Sequence, residues 1–139
     1  MIPEQNQKFI GLKVSTNSSA HEHKFDTNGG RYLIIYLAAN GGSGTAFTEQ
    51  PALTESDTEG GSYTAITGAA ATGLTSPSDA AADAGGCVFY VDLRGRKRFI
   101  KLDYQAGQTA NVAAIGVLSR VPEAPVTAAT SDFAARVVV

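Results

Sequence analysis

Short runs of β-branched and aromatic residues, set apart by glycine-rich punctuation, extend along most of this chain. The breaks are Asn28-Gly29-Gly30, Asn40-Gly41-Gly42-Ser43-Gly44, Glu59-Gly60-Gly61-Ser62 and Gly85-Gly86. Glycine reaches positive φ without steric cost and Asn or Ser side chains bond to nearby backbone, so such clusters turn the chain. Between the breaks the pattern predicts strands at Lys8–Val14, Arg31–Ala38, Ala46–Glu55, Ser62–Ile66, Cys87–Leu93, Lys97–Tyr104 and Asn111–Ser119. Strands this short and this regularly spaced predict an all-β sandwich or barrel rather than βαβ units.

The alternation assigns faces. In Lys97–Tyr104, Ile100, Leu102 and Tyr104 fall on one side and Phe99, Lys101 and Asp103 on the other, the period of a half-buried strand with Phe99 as its exception. In Arg31–Ala38 both sides are apolar, which predicts a central strand or one covered on both faces. In Asn111–Ser119, Ala113, Ile115 and Val117 alternate with Ala114, Gly116 and Leu118, and the small residues predict close packing by a neighbour.

One segment reads as helical. Ser76-Pro77-Ser78-Asp79 is a cap-like start to Ala80-Ala81-Ala82-Asp83-Ala84, with Gly85-Gly86 as the stop. It has room for one or two turns, and a loop is the equal alternative. From Val121-Pro122-Glu123-Ala124-Pro125 onward the chain becomes extended, then small and polar, with Phe133 as an anchor before Val137-Val138-Val139. Bare valines at an end are an aggregation hazard, so this tail is expected to pair in a sheet, its own or a neighbour's, with the stretch around Phe133–Val139 ordering only in an assembly. The division expected is a β-sandwich domain over 1–121 and an extended C-terminal segment over 122–139. Met1–Gln7 reads as a polar arm.

The length of 139 residues fits one core, and 43% hydrophobic residues can fill it. Charged residues are only 17%, below the roughly 25% usual for soluble domains, so Thr, Ser, Gly, Asn and Ala must form much of the surface. The net charge of -2 gives no general attraction to nucleic acid or anionic membrane. With Cys87 as the one cysteine an intrachain disulfide is impossible, and a reducing compartment is the simpler reading. Met1–Val14 lacks the basic-then-apolar order of a signal peptide. The run Tyr32–Ala39 is too short to span a bilayer.

Each candidate for chemistry lacks a partner. His21 and His23 would share one side of a strand and could share a metal, but Asp26 is the one acid close behind and the chain holds no third histidine. A solvated loop or strand start outweighs that reading. Cys87 opens an apolar strand without an adjacent histidine, which favours a buried structural thiol over a nucleophile. Glu55, Asp57 and Glu59 could ligate calcium, but their spacing is not that of an EF-hand and a polar hairpin turn is the default. The glycine clusters match neither a P-loop nor a dinucleotide fingerprint, and no nucleophile elbow is present. Arg94-Gly95-Arg96-Lys97-Arg98 is the densest charge feature. It reads first as a hairpin turn with charges guarding hydrophobic strands, second as a patch for an acidic protein partner, and last as a nucleic-acid contact.

Two segments read together carry a resemblance. One is Leu53-Thr54-Glu55-Ser56-Asp57-Thr58-Glu59-Gly60-Gly61-Ser62-Tyr63-Thr64-Ala65-Ile66-Thr67-Gly68. The other is Tyr90-Val91-Asp92-Leu93-Arg94-Gly95-Arg96-Lys97-Arg98-Phe99-Ile100-Lys101-Leu102, continuing to Ala113-Ala114-Ile115-Gly116-Val117-Leu118-Ser119-Arg120 and Pro122. Over residues 31–122 this resembles small structural proteins encoded in tailed-bacteriophage head and tail gene clusters. The resemblance implies a virion component, foremost a capsid decoration or cement protein that sits on the outside of the head, braces it, and is often a trimer. Many such proteins are jelly-roll-like β sandwiches, so that fold, with extended terminal segments, is the expectation here. A capsid-binding arm of any length is not obvious in this chain.

The resulting expectation is a non-catalytic, cofactor-free virion structural protein that is made in the host cytoplasm and located on the capsid surface. Its expected partners are the major capsid protein and itself, as a homotrimer, with no nucleic acid and no membrane. The expected interface residues are Arg94, Arg96, Lys97, Arg98, Phe133, Val137, Val138 and Val139. A tail or baseplate subunit is the alternative in the same setting, and a carbohydrate-binding β-sandwich module is the alternative from another class. The latter needs exposed aromatics in a row, and the chain has no Trp.

Overall fold

The chain folds as one long antiparallel ribbon bent over on itself. The computed structural model describes residues 7–16, 18–76, 85–120 and 135–139. Around the turn after Ser56 the strands pair in nested order: β5 (Glu49–Ser56) with β6 (Thr64–Ala70), β4 (Thr45–Ala46) with β7 (Thr75–Ser76), and β3 (Tyr32–Asn40) with β8 (Gly86–Asp92). Outside these, β2 (Ala20–Asp26) pairs with β9 (Phe99–Gln105) and β1 (Gln7–Ser15) with β10 (Asn111–Ser119). Glu55 stands opposite Thr64, Thr45 opposite Ser76, Tyr32 opposite Asp92, Ala20 opposite Gln105 and Gln7 opposite Ser119.

Rolling that ribbon places alternate pairs in two packed sheets. One is ordered β1-β10-β3-β8-β11 and the other β2-β9-β5-β6. This is the jelly roll: β10 joins β3, and β9 joins β5, across the seams where the ribbon meets itself. The all-β sandwich expected from the sequence is therefore the fold. β11 (Ala135–Val138) is an addition, running parallel to β8 at the sheet edge of its own chain.

The core lies between the sheets. Leu33, Ile35 and Leu37 of β3 and Cys87, Phe89 and Val91 of β8 face Ile100, Leu102 and Tyr104 of β9 and Leu53 of β5. The alternation read for β9 holds, with Phe99 on the outer side. The both-sided apolar strand β3 is central in its sheet. The small residues of β10 have their neighbour in Phe25, whose ring lies against Gly116.

Beyond shifts of one or two residues, several strand assignments differ from expectation. The run Ala46–Glu55 divides into β4 and β5, and Ser62–Ile66 moves on to Thr64–Ala70, because the turn occupies residues 57–63. β2 was read as a loop or strand start and is a full strand. Its inward positions are His21, His23 and Phe25, so its apolar signal is a single residue. The expected short helix over 77–84 lies outside the described residues.

A bulge shapes the β1 edge. The register slips between Phe9 and Leu12, and Gly11 there takes φ 84°, a conformation L side chains rarely adopt. A Cβ on Gly11 would also stand 2.4 Å from Nε2 of His23, so glycine lets β1 lie close over β2.

Candidate interaction surface

The two outer faces of the sandwich differ in chemistry. On the four-stranded sheet, Glu22 lies beside Asp103, and Lys24 beside Lys101. Lys101 Nζ stands 3.0 Å from Asp103 and 3.3 Å from Glu22, which also meets Lys24 at 3.6 Å. The bond from Lys101 holds the Glu22 carboxyl below its ordinary range. Tyr63 lies beneath the ammonium groups of Lys101 and Lys24, at 5.0 and 5.7 Å. This face is charged and matched to water.

The outer face of the five-stranded sheet is apolar from strand to strand. The pairing registers set Phe9, Val117, Ile34, Tyr90 and Val138 in one row. Ile115, Tyr36, Val88 and Arg136 form the next, and Val14, Ala113, Ala38 and Gly86 a third. Among the described residues of these rows Arg136 carries the one formal charge. The middle of the face forms its own buried cluster of Ile34, Val88, Tyr90 and Val117, with Tyr36 packed against it. Burial there raises the Tyr36 phenol above its ordinary value. The margins are open: Phe9 is 70% exposed, Val14 62% and Val138 61%. The open apolar side chains thus lie at the two edges of the sheet, on β1 and β11, on either side of a buried middle.

The basic turn is engaged within the chain. It is closed by Arg96 N donating to Leu93 O at 3.1 Å. Arg94 grips Asp92, whose carboxyl is held at about 2, first by that side-chain bond and then by the Arg94 backbone N–H. Arg98 forks onto both oxygens of Asp26 at 2.9 and 2.8 Å, holding that carboxyl at about 2 as well. Arg96 meets Glu55 at 4.0 Å and Lys97 meets Asp57 at 3.9 Å, while the Lys97 backbone N–H donates to Glu55 at 3.1 Å. The run thus clamps its own turn and ties β9 to β2 and to the β5–β6 turn, with its charges answered by nearby acids.

The other sequence candidates fall as follows. His21 and His23 do share one side of β2, and it is the inner side: the His23 ring packs on Phe25 at 4.3 Å and His21 on Tyr104 at 5.6 Å. Glu55 and Asp57 face the basic turn. Among the described residues no three His, Cys, Asp or Glu side chains converge on one point. Cys87 is a buried core thiol, and desolvation pushes it up to about 12. Val137 points into the core, Val138 outward, and Val139 exchanges backbone bonds with Tyr90 and Asp92 at 3.0 and 2.7 Å. Phe133 lies outside the described residues. Sequence reading missed Phe9 and Val14. Their signal was the apolar character of both sides of β3 and β10, which β1 continues.

These features define a class, a jelly-roll sandwich with one charged and one apolar outer face. No family model matches the chain, and no curated protein matches it in sequence. Among solved structures it is similar to the crystal structure of SPBc2 prophage-derived protein YomS. The two share 15% identity at a TM-score of 0.47, with 81% of this chain and 93% of that chain covered.

Proposed function

We propose that this protein is a virion structural protein, a decoration or cement subunit that binds the outer surface of an assembled phage head and stabilises it. The observation that carries the reading is the pair of open apolar edges of the five-stranded sheet, Phe9 and Val14 on β1 and Val138 on β11, opposite a charged and solvated face. Exposed apolar edges beside a wet face suit a protein that lies between a shell and solvent. The resemblance of residues 31–122 to phage head and tail proteins supplies the setting.

The mechanism is adhesion and uses no cofactor. The middle of the face, Ile34, Val88, Tyr90 and Val117, is buried within the chain, so the open apolar contact is confined to Phe9 and Val14 on one edge and Val138 on the other. Three side chains fall well short of the roughly 800 Å² a stable interface buries on each partner. One chain would therefore hold weakly, and a homotrimer engaging three coat-protein positions would gain strength by avidity. Nucleic acid and membrane play no part in this reading.

Co-sedimentation with empty, expanded heads tests it. The native chain is expected to pellet with heads, and a Phe9→Ser/Val14→Ser variant of unchanged melting temperature to remain in the supernatant. Equal pelleting of the two would overturn the role of this face. Pelleting with purified tails and not with heads would replace the head assignment with a tail or baseplate one.

A further inference from the structure

β1 and β2 are the edge strands of their sheets on the same side of the sandwich, and a cleft of about 400 Å³ opens between them. Phe25 and Leu118 close its base but are 1% and 2% exposed, and Ile10 is half-buried, so the surface it offers is mostly polar. Its rim holds three cations from three places in the chain: Lys8 on β1, Lys24 on β2 and Arg120 just beyond β10. The Arg120 guanidinium reaches over the Asn28-Gly29 turn, where a Cβ on Gly29 would stand 3.9 Å from it. The acid in the lining, Asp26, has both oxygens covered by Arg98, and Lys24 is partly answered by Glu22 at 3.6 Å. Lys8 lies close enough to Asp26 to help hold its carboxyl low, and cations in the lining still outnumber acids by three to one among the described residues. This is the reverse of the Arg94–Arg98 turn, where an acid answers each cation.

We propose that this cleft is a docking site for an extended, carboxylate-bearing peptide segment of a protein partner. Charge complementarity sets the acid: three cations, Lys8, Lys24 and Arg120, line one opening against a single acid, Asp26, that Arg98 already engages. The edge sets the backbone conformation, because β1 pairs with β10 on one side and presents its other side to this opening. A phosphate-type site would place a series of backbone N–H groups around the anion. Here the donors are separate side chains from β1, β2 and the end of β10, which suits carboxylates spaced along an extended strand. The cleft lies across β1 from the apolar face, so the two surfaces can be disabled separately.

A fluorescein-labelled decapeptide of alternating aspartate and valine is the probe, titrated with the full chain and read by polarisation and by amide shifts in two-dimensional NMR. Shifts are expected at Lys8, Gly11, Lys24 and Arg120. Lys8→Gln and Arg120→Gln should each weaken binding roughly threefold, the scale of an exposed ion pair, and added salt should weaken it further. Lys97→Gln, at the internally paired turn, is the control and should leave binding unchanged. Phe9→Ser/Val14→Ser should bind the peptide normally, which separates failure here from failure of the shell-binding reading. Absence of binding, equal binding of the same peptide with asparagine for aspartate, or equal weakening by Lys97→Gln would each overturn the proposal. Full displacement by equimolar inorganic phosphate would do so too, by making this a phosphate site.

Discussion

Gly116→Ala tests how tightly the two sheets are held under the cleft. Gly116 faces inward from β10, opposite Ile35 of β3. A Cβ there would stand 2.6 and 2.7 Å from two ring carbons of Phe25 and 3.0 Å from the Ile10 carbonyl oxygen. Neither neighbour can yield cheaply: Phe25 is 1% exposed with its ring on His23, and Ile10 O belongs to the bulged backbone of β1. Overpacking of this kind costs about 1–3 kcal/mol. Alanine also narrows the unfolded ensemble, which offsets about 0.4–1 kcal/mol. The net expectation is a loss of roughly 1–2 kcal/mol, which at a urea m-value of ~1–3 kcal/mol/M lowers the midpoint by about 0.5–1 M with m unchanged. Urea unfolding followed by tyrosine fluorescence and far-UV circular dichroism would read it. Phe25→Leu removes the clashing ring edge, so Gly116→Ala should cost about 1 kcal/mol less in that background. A midpoint unchanged or raised by Gly116→Ala, or simple additivity of the two substitutions, would refute the claim that this glycine is required by ring contact.

Four further outcomes are expected. Phe9→Ser/Val14→Ser should hold its unfolding free energy within about 0.5 kcal/mol of the native chain, as exposed sites do, and a larger loss by urea titration would place those residues in the core instead. Asp26 has its folded pKa lowered from 3.8 to about 2 by Arg98, so the stability it adds is present above pH 3.8 and fades as pH falls toward 2. Melting curves of Arg98→Gln should therefore lie below the native chain at neutral pH and converge on it near pH 2, and a constant gap would contradict the pairing. Cys87, buried with its thiol pushed up to about 12, should resist Ellman's reagent in the native state and react at once in denaturant. Val137→Asp should lower the melting temperature and raise exchange of the Val139 amide, which bonds to Tyr90 O; an unchanged exchange rate would show that β11 does not depend on this contact.

The sequence determined the strands wherever alternation and burial coincide. Cys87–Leu93, Lys97–Tyr104 and Asn111–Ser119 were legible because each carries a full apolar side, and a one-residue slip would turn that side to water. The both-sided apolar reading of Arg31–Ala38 already held the second, outer cluster around Ile34, Val88, Tyr90 and Val117. β2 was not legible, because histidines at its inward positions give no hydrophobic period. The role of the basic run was not legible either. Arg98 and Asp26 are 72 residues apart, and a charge counted in a sequence is free until the fold brings its partner. The same holds for the cleft: Lys8, Lys24 and Arg120 are unremarkable singly and converge only when the ribbon rolls up and lays β1 over β2. Local pattern set the strands because it is a property of neighbours along the chain. The tertiary fold decided which charges are spent and which are left over, because electrostatic compensation is a property of neighbours in space.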